Sequence, residues 1–388
     1  MLDDVLSMTH HWPAQQRVHP NANLSRTLAD EMASAGARRV FLLTTKSLRD
    51  TPLLARTRDA IGDRLCGTYD TMRAHTPAED VVEAASQVLD SGADLVVALG
   101  GGSVIDGGKA VCFAAWNRLT TAQALLDALP RNVQNSEWDS APPTPRMIAI
   151  PTTLSAAEFT GKAGVKDVQR GHKARVMDAY TVPKVVILDP AATLHTPAEL
   201  LLSSAVRSVD HAVERWCSNR PMPFSDAVSL QAMQMLAGAL PEIRRNPDNL
   251  QARAAAQYAS WLSIMGEWAN VPVGASHGIG YILGAYKGLP HGMTSCVMLH
   301  AVLRWNEPAT AQRQARIAEI FGAANASDGV RRFVEDLGLP TRLSHFGITP
   351  DQFADIAARY DGRQAPISTN PRPIKGSEDL VEILSLAA

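Results

Sequence analysis

The sequence predicts two domains: an N-terminal α/β domain over residues 1–190, with a doubly wound and mainly parallel sheet, and an all-α C-terminal domain over residues 191–388. Three observations predict this class. The apolar segment 95–99 is too short and too uniform for a surface element, and is typical of a strand buried on both faces of a parallel sheet. Strand-like and helix-like segments alternate as far as Pro190. Beyond it, segments of helical period follow that are rich in alanine and leucine.

Local patterns place the elements of the first domain. Leu24, Leu28 and Met32 recur at helical spacing, and Gly36 ends that helix before a strand begins. Pro77 suits the first position of a later helix. We therefore predict strands at residues 39–44, 66–69, 95–99, 148–151, 163–167 and 184–189, and helices at residues 24–36, 78–91 and within 117–145.

The second domain has no strand signal. Its apolar residues recur with the period of a helix. The predicted helices cover residues 197–218, 224–240, 249–268, 275–287, 292–305, 309–322, 327–337 and 350–360.

Composition is that of an ordinary globular protein, with 46% hydrophobic and 20% charged residues. A net charge of −2 gives no reason to expect nucleic acid or an anionic membrane as the main partner. The four cysteines form no CxxC pair, and the acidic N-terminal segment lacks the apolar core of a secretory signal. We expect a reduced cytoplasmic protein.

The buried strand at 95–99 ends in three glycines, Gly100 to Gly102, followed by Ser103. Glycines let a ligand approach the main chain, and Ser103 can cap a helix whose first turn carries Asp106. Free N–H groups at such a helix start favour an anion, so a phosphate site is predicted here. The spacing matches neither G-x-G-x-x-G nor the nucleotide P-loop. A glycine-rich turn without a ligand is the alternative.

This stretch resembles the GGGSxxD element of the iron-containing alcohol dehydrogenase family. Residues 152–161, TTLSAAEFTG, are most similar to the maleylacetate reductase branch of that family, and residues 370–373, NPRP, resemble the same branch. The resemblance implies a dehydroquinate synthase-like architecture, an NAD(P)-dependent oxidoreductase and a homodimer.

The resemblance also implies the cofactor site. In the family the glycine element holds the pyrophosphate of NADH or NADPH, the threonines after the next strand flank the nicotinamide, and the TTKS turn lies near the adenine ribose. Thr45 beside Lys46 does not repel a 2′-phosphate, so we expect either cofactor to be accepted. The predicted cofactor-binding residues are Thr44, Thr45, Gly101, Gly102, Ser103, Asp106, Thr152, Thr153, Ser155, Thr160 and Lys162.

One local cluster of basic residues stands apart from these. Two alternatives are open for this cluster: it contacts the cofactor phosphates or a carboxylated substrate, or it forms a hairpin exposed to solvent. Its members are Arg170, His172, Lys173 and Arg175.

The second domain carries three histidines at family spacing. The resemblance implies a metal held by an Asp four residues before a His, and by two histidines in an H-x13-H pattern ending in PHG. His211, His277 and His291 occupy the three histidine positions. Arg207 stands at the Asp position and cannot ligate a metal. Of its neighbours, Asp210 points away from His211 on a helix, and Glu214 shares the face of His211 and can in principle bind.

These departures argue against a bound divalent metal; if one is bound, the three histidines are its ligands. Maleylacetate reductases themselves are similar in lacking the Asp ligand. Arg207 is then free to hold a substrate carboxylate. Tyr281 stands where the family usually has another histidine, and shares a helix face with His277. The predicted catalytic residues are His211, His277, His291, Tyr281 and Arg207.

The leading hypothesis is an NAD(P)H-dependent reductase of a carboxylated oxo or enoyl acid, similar to maleylacetate reductase and without catalytic metal. One alternative is a metal-dependent alcohol dehydrogenase. Another is a family member repurposed for non-redox chemistry on an acidic metabolite. The latter is suggested by Tyr281 and by residues 18–23, where the family's glycine-bearing strand is not evident.

Overall fold

The computed structural model describes residue 12 and residues 14–129, 141–170, 172–360 and 366–388. Within these, the chain divides into two compact units after Thr196. The first unit is the α/β part, and the second is helical. Each is considered in turn.

The first unit is built on a six-stranded sheet in which every described pair of neighbouring strands is parallel, in the order β1-β8-β5-β4-β2-β3. The predicted α/β class with a parallel sheet is confirmed. The central strands are buried along their whole length, as their uninterrupted apolar runs require. The six strands are β1 (Arg17–Pro20), β2 (Val40–Leu43), β3 (Leu65–Tyr69), β4 (Leu95–Gly100), β5 (Arg146–Pro151) and β8 (Val185–Leu188).

Strand β1 was not predicted, yet residues 17–20 form an edge strand alongside β8, with Val18 opposite Val186. The segment lacks the expected glycines but keeps the extended conformation. Its polar residues are satisfied on the next helix, because Arg17 and His19 both bind the carboxylate of Glu31. The strand is therefore present at the sheet edge, although its sequence lacks the family's glycines.

The helices of this unit connect consecutive strands, as parallel pairing demands. The first two begin at side-chain caps: the side chain of Asn23 accepts from the N–H of Arg26, and that of Thr51 accepts from the N–H of Leu54. The described helices are α1 (Leu24–Ser34), α2 (Pro52–Ile61), α3 (Ala78–Asp90), α4 (Gly102–Trp116) and α5 (Ala122–Ala128).

Two further strands form a separate antiparallel hairpin, β6 (Lys162–Asp167) and β7 (His172–Met177). The basic cluster thus lies on a hairpin, as one of the two sequence alternatives had it. Arg170 pairs with Asp167, 3.2 Å away, at the turn. The side chains of His172 and Lys173 lie outside the described residues.

The second unit is helical throughout its described residues. Its longest helix is broken at Thr310, where φ of −131° interrupts the helical conformation two residues after Pro308. A short C-terminal helix was not predicted. The helices are α6 (Ala198–Trp216), α7 (Pro223–Arg245), α8 (Leu250–Ile264), α9 (Ala275–Lys287), α10 (His291–Ile320), α11 (Ala326–Asp336), α12 (Phe353–Ala357) and α13 (Ser377–Ser385).

None of the described helices is both long enough and apolar enough to cross a bilayer.

Candidate active site

The carboxyl edge of the sheet contains a topological switch point. From β2 the chain continues to β3 on one side, whereas from β4 it continues to β5 on the other, and β2 and β4 are neighbours. In open α/β sheets, ligands bind beyond the strand ends at such a point. The predicted cofactor residues follow β2, β4 and β5, so the order of the strands gathers them at this edge.

The glycine turn after β4 packs directly against the turn after β5. The N–H of Thr152 donates to the carbonyl of Gly100 at 3.0 Å. A Cβ on Gly101 would lie 2.9 Å from Cγ2 of Thr153, and one on Gly102 would lie 3.0 Å from Oγ of Ser155. Two predicted cofactor segments therefore form one surface, and glycine is required where they touch. The first N–H groups of α4 lack intrahelical partners, as at any helix start, and are suited to an anion.

A methyl group at Gly101 is expected to push the turn of Thr153 away and weaken binding of the reduced cofactor at least roughly tenfold, because the clash is with a β-branched side chain that has little freedom. The double variant Gly101→Ala/Thr153→Ser lacks the Cγ2 atom that would be struck, so it should recover most of the affinity. Fluorescence titration with NADH and with NADPH measures the affinity of the single and the double variant. A single variant that binds like the wild type, or a double variant no better than the single, would refute this packing.

Ser103 was predicted to cap α4, and this is wrong. The helix begins at Gly102 with Gly101 as its cap, and no side chain makes the capping bond. The hydroxyl of Ser103 instead accepts from the N–H of His75, while its carbonyl accepts from the hydroxyl of Thr76. His75 and Thr76 have φ of 66° and 56°, a left-handed conformation that costs of order 1–3 kcal/mol for each such residue. Ser103 thus holds a strained turn at the carboxyl edge.

Two further predicted cofactor residues are committed to the framework. Thr44 is fully buried, and its hydroxyl donates to the carbonyl of Leu99 on the neighbouring strand. Oδ2 of Asp106 accepts from the N–H of Gly164 on β6. The Thr44 hydroxyl and one carboxylate oxygen of Asp106 therefore help to hold the framework of this edge.

Thr45 has a different setting. It lines an open cavity of about 510 Å³ next to the ends of β2 and β3. Basic and acidic side chains both face it, and Arg73 is paired with Asp80 in its wall. The full lining is Thr45, Lys46, Tyr69, Thr71, Met72, Arg73, Ala74, Asp80 and Glu83.

Lys109 is a buried residue of this site that the sequence reading missed. Its ammonium group donates to the carbonyls of Ala157 (2.6 Å) and Lys162 (2.8 Å), and its nitrogen is 3.4 Å from Oγ1 of Thr160. It thereby fastens the segment with the predicted cofactor residues Thr160 and Lys162 to α4. Burial lowers the pKa of Lys109, and nearby Asp106 opposes that shift.

Glu158 lies in the same buried cluster. Burial raises its pKa to about 7, and the attraction of Lys109 offsets only part of this. Because the folded pKa lies above the ordinary value of 4.5, the associated stability is fully present below pH 4.5 and is lost as the pH rises through about 7. The loss amounts to about 3 kcal/mol at alkaline pH, at 1.36 kcal/mol per pKa unit.

Glu158→Gln cannot ionise and should escape that loss. The unfolding free energy of the variant, relative to the wild type, is expected to rise by about 3 kcal/mol between pH 4.5 and pH 8. Thermal melts at both pH values measure the difference. A difference in Tm that is the same at the two pH values would contradict the assignment.

In the second unit, the three predicted histidines and Tyr281 lie together. The rings of His211 and His277 stack with centroids 4.8 Å apart. Tyr281 meets His277 edge-on at 6.4 Å and His291 at 6.1 Å, and the guanidinium of Arg207 lies over its ring at 5.6 Å. All five predicted catalytic residues therefore belong to one cluster, contributed by α6, α9 and the start of α10.

Arg207 is anchored within this cluster through one nitrogen. Nη1 donates to Oγ of Ser295 at 3.0 Å and lies 3.6 Å from Oδ2 of Asp210. The same oxygen accepts from the hydroxyls of Ser295 and Ser276. Burial alone would raise the pKa of Asp210, but attraction to His277 and Arg207 and the serine hydrogen bond hold it below its usual value. Within the described residues, Nε and Nη2 of Arg207 make no hydrogen bond.

Glu214 also lies on α6, and its carboxylate contacts the start of α9. Its carboxylate accepts from the N–H groups of Gly274 and Ser276 at 2.8 and 2.7 Å, and from that of His277 at 3.4 Å. It also lies 2.7 Å from Nδ1 of His277. The sequence had presented Glu214 only as a possible metal ligand.

His211 is held neutral. Burial, reinforced by the positive charge of nearby groups, keeps its pKa well below the usual value. Its Nδ1 is buried and has no hydrogen-bond partner among the described residues.

The metal implied by the resemblance needs histidine nitrogens that converge. Among the described residues, the one set that brings three ligand-type atoms within 4.8 Å of one another is Asp210, Glu214 and His277. Its atoms are already engaged, the carboxylates by N–H and O–H donors and His277 by Glu214. Arg207 adds a fixed positive charge beside Asp210. A divalent metal bound by this set would have to compete with these hydrogen bonds and with the charge of Arg207.

Fold and site together define an oxidoreductase of two units, one α/β and one helical. The family model described as iron-containing alcohol dehydrogenase matches residues 15–190, and the one described as the C-terminal part of the Fe-containing alcohol dehydrogenase family matches residues 202–388. The chain therefore belongs to the iron-containing alcohol dehydrogenase family.

Relatives within the family favour one branch. The dehydrogenase ALT3 of Alternaria alternata is 30% identical, with 83% of this chain and 92% of that protein covered. A maleylacetate reductase of Sphingobium indicum is 28% identical, with 97% and 96% covered. The crystal structure of maleylacetate reductase from Agrobacterium tumefaciens superposes with a TM-score of 0.80 at 25% identity, covering 98% of this chain and 97% of that one. The predicted likeness to the maleylacetate reductase branch is confirmed.

Proposed function

We propose that this protein is an NAD(P)H-dependent reductase of a carboxylated oxo or enoyl acid that works without a catalytic metal. The observation that carries the proposal is Arg207. It takes the place of the family's Asp ligand, lies among three histidines and Tyr281, and keeps two guanidinium nitrogens uncommitted among the described residues. A guanidinium fork matches a carboxylate in geometry and charge.

The first unit supplies the cofactor site in this proposal. The N–H groups at the start of α4 bind the pyrophosphate, and the glycine turn leaves no side chain in their way. The turns of Thr152 and Thr153 lie beside it. The cavity next to Thr45 contains Lys46 and no carboxylate at the position of Thr45, so NADPH is accepted as well as NADH. When bound, the reduced nicotinamide supplies a hydride to an electrophilic carbon of the substrate.

The second unit supplies the groups that bind the substrate and provide a proton. Arg207 binds its carboxylate and fixes its orientation. The imidazoles and the Tyr281 ring belong to the same cluster. An imidazole or the Tyr281 hydroxyl gives the proton that balances the added hydride, to oxygen for a carbonyl or to carbon for an enoyl acid. Neutral His211, whose low pKa disfavours the charged form, stacks on His277 and excludes water from it.

The test is the absorbance of reduced nicotinamide in the presence of maleylacetate and a series of other oxo acids. We expect NADH or NADPH to be oxidised by carboxylated acids, and neutral aldehydes of similar size to react far more slowly. No consumption with any acid, with or without added metal, would refute the proposal.

Metal content is measured on the same preparation, purified without chelator. We expect full activity with far less than one metal per chain. A stoichiometric metal that is needed for turnover would instead identify a metal-dependent alcohol dehydrogenase.

A further inference from the structure

We infer that Glu214 is a positioning residue that makes Nε2 the working nitrogen of His277. The inference rests on the proposed function for its kinetic consequence, but its structural part stands on hydrogen bonds alone. Glu214 is buried on α6, and each of its carboxylate oxygens has a partner at the start of α9.

The tautomer follows from the donors and acceptors present. A carboxylate only accepts hydrogen bonds, so the 2.7 Å contact between Glu214 and Nδ1 of His277 requires a proton on Nδ1. Asp210 lies 3.5 Å from the same nitrogen and also carries negative charge. Nδ1 is therefore committed as a donor whether the ring is neutral or charged.

The other nitrogen of the ring is left for chemistry. Nε2 of His277 is buried and has no hydrogen-bond partner among the described residues. A buried polar atom without a partner is costly, and is retained where a ligand or a reaction uses it. Any proton that His277 exchanges with a substrate must pass through Nε2, and the grip of Glu214 keeps that atom in place.

Glu214 also holds the backbone that carries His277. By accepting from Gly274, Ser276 and His277 it satisfies the N–H groups that a helix start leaves open. One carboxylate thus fixes the position of the helix, the plane of the ring and its tautomer. This is the relation that orients a general acid or base in other enzymes.

The direct experiment is nitrogen NMR of the wild-type protein labelled with ¹⁵N-histidine, with the signal of His277 assigned by its absence from His277→Asn. We expect Nδ1 to be protonated. A His277 whose single proton resides on Nε2 would overturn the inference. This measurement does not depend on turnover. Failure of every oxo acid as a substrate would refute the proposed function but would leave the tautomer result unaffected.

The kinetic experiment is Glu214→Gln. An amide has one acceptor oxygen instead of two, so it cannot serve both the N–H groups of α9 and the imidazole. We expect kcat for the best oxo acid to fall at least roughly 30-fold, with KM for the reduced cofactor within about twofold. A kcat within threefold of the wild type would overturn the inference.

Asn370→Ala is the matched control. Asn370 also supports the start of α9, by accepting from the N–H of Ala275, but does not touch the imidazole. We expect its Tm to fall and its kcat to stay within about threefold. An equal loss of kcat in Asn370→Ala would show that Glu214 acts only through the helix, and would also overturn the inference.

Discussion

Replacing Arg207 with methionine should raise KM for a carboxylated oxo acid roughly 100-fold, because a charged hydrogen-bonded partner worth about 3 kcal/mol is lost. KM for the reduced cofactor should stay within about twofold. Asp210 keeps its two serine donors, so the helix that carries Arg207 should remain folded. Steady-state kinetics with acid and cofactor varied separately measure both quantities.

Two control variants separate substrate binding from framework effects. Ser295→Ala removes a hydrogen bond from Arg207 but leaves its guanidinium in place, and is expected to change KM for the acid less than about fivefold. Arg207→Lys keeps the positive charge but not the two-pronged guanidinium, so its KM for the acid should lie between those of the wild type and Arg207→Met. If Arg207→Met and Ser295→Ala raise KM for the acid equally, or if Arg207→Met leaves that KM unchanged, Arg207 does not bind the carboxylate.

Replacing Lys109 with methionine should lower the unfolding free energy by about 3–5 kcal/mol. The buried carbonyls of Ala157 and Lys162 would lose the ammonium donor and could not replace it with water. The anchor of the segment holding Thr160 and Lys162 is lost at the same time. Cofactor binding should therefore weaken as well. Thermal denaturation and NADH titration report the two effects.

Lys166→Met is the control for this prediction. Lys166 is partly exposed on the same hairpin, and a surface substitution there should change stability by less than about 0.5 kcal/mol. A Lys109 variant whose Tm equals that of the Lys166 variant would contradict a structural role for the buried ammonium group.

Much of the fold is predictable because its signals are local. A strand buried on both faces is a short apolar run, and a helix against a core has an apolar stripe, so β4 and α6 could be placed from the sequence. The edge strand β1 lacks that signal because its polar side chains are satisfied by Glu31. The charged strand β7 could not be assigned as a strand from its own residues, because it is stabilised by pairing with β6.

The site is predictable to the level of residue type and spacing, and no further. The resemblance to the family's motif identified the histidines, Tyr281 and Arg207, which the structure brings together. It could not reveal that the hydroxyl of Thr44 is committed to Leu99, or that Ser103 binds the turn of residue 75. These depend on contacts between distant segments.

Lys109, and the role of Glu214 at the start of α9, were missed for a different reason. Lysine and glutamate usually lie on the surface, so a charged residue in an apolar helix attracts little notice. The signal that was available is that Lys109 lies among small or apolar residues of α4, with Asp106 as the other charged residue of that helix. A charge in a segment predicted to be buried indicates that it has partners within the fold.

A crystal structure with reduced cofactor and an unreactive oxo dicarboxylate tests the central claim most directly. We predict pyrophosphate oxygens within hydrogen-bond distance of the main-chain N–H groups of residues 101–103, and a carboxylate on Nε and Nη2 of Arg207. A pyrophosphate bound elsewhere, or a metal held by His211, His277 and His291 with the carboxylate away from Arg207, would contradict the account.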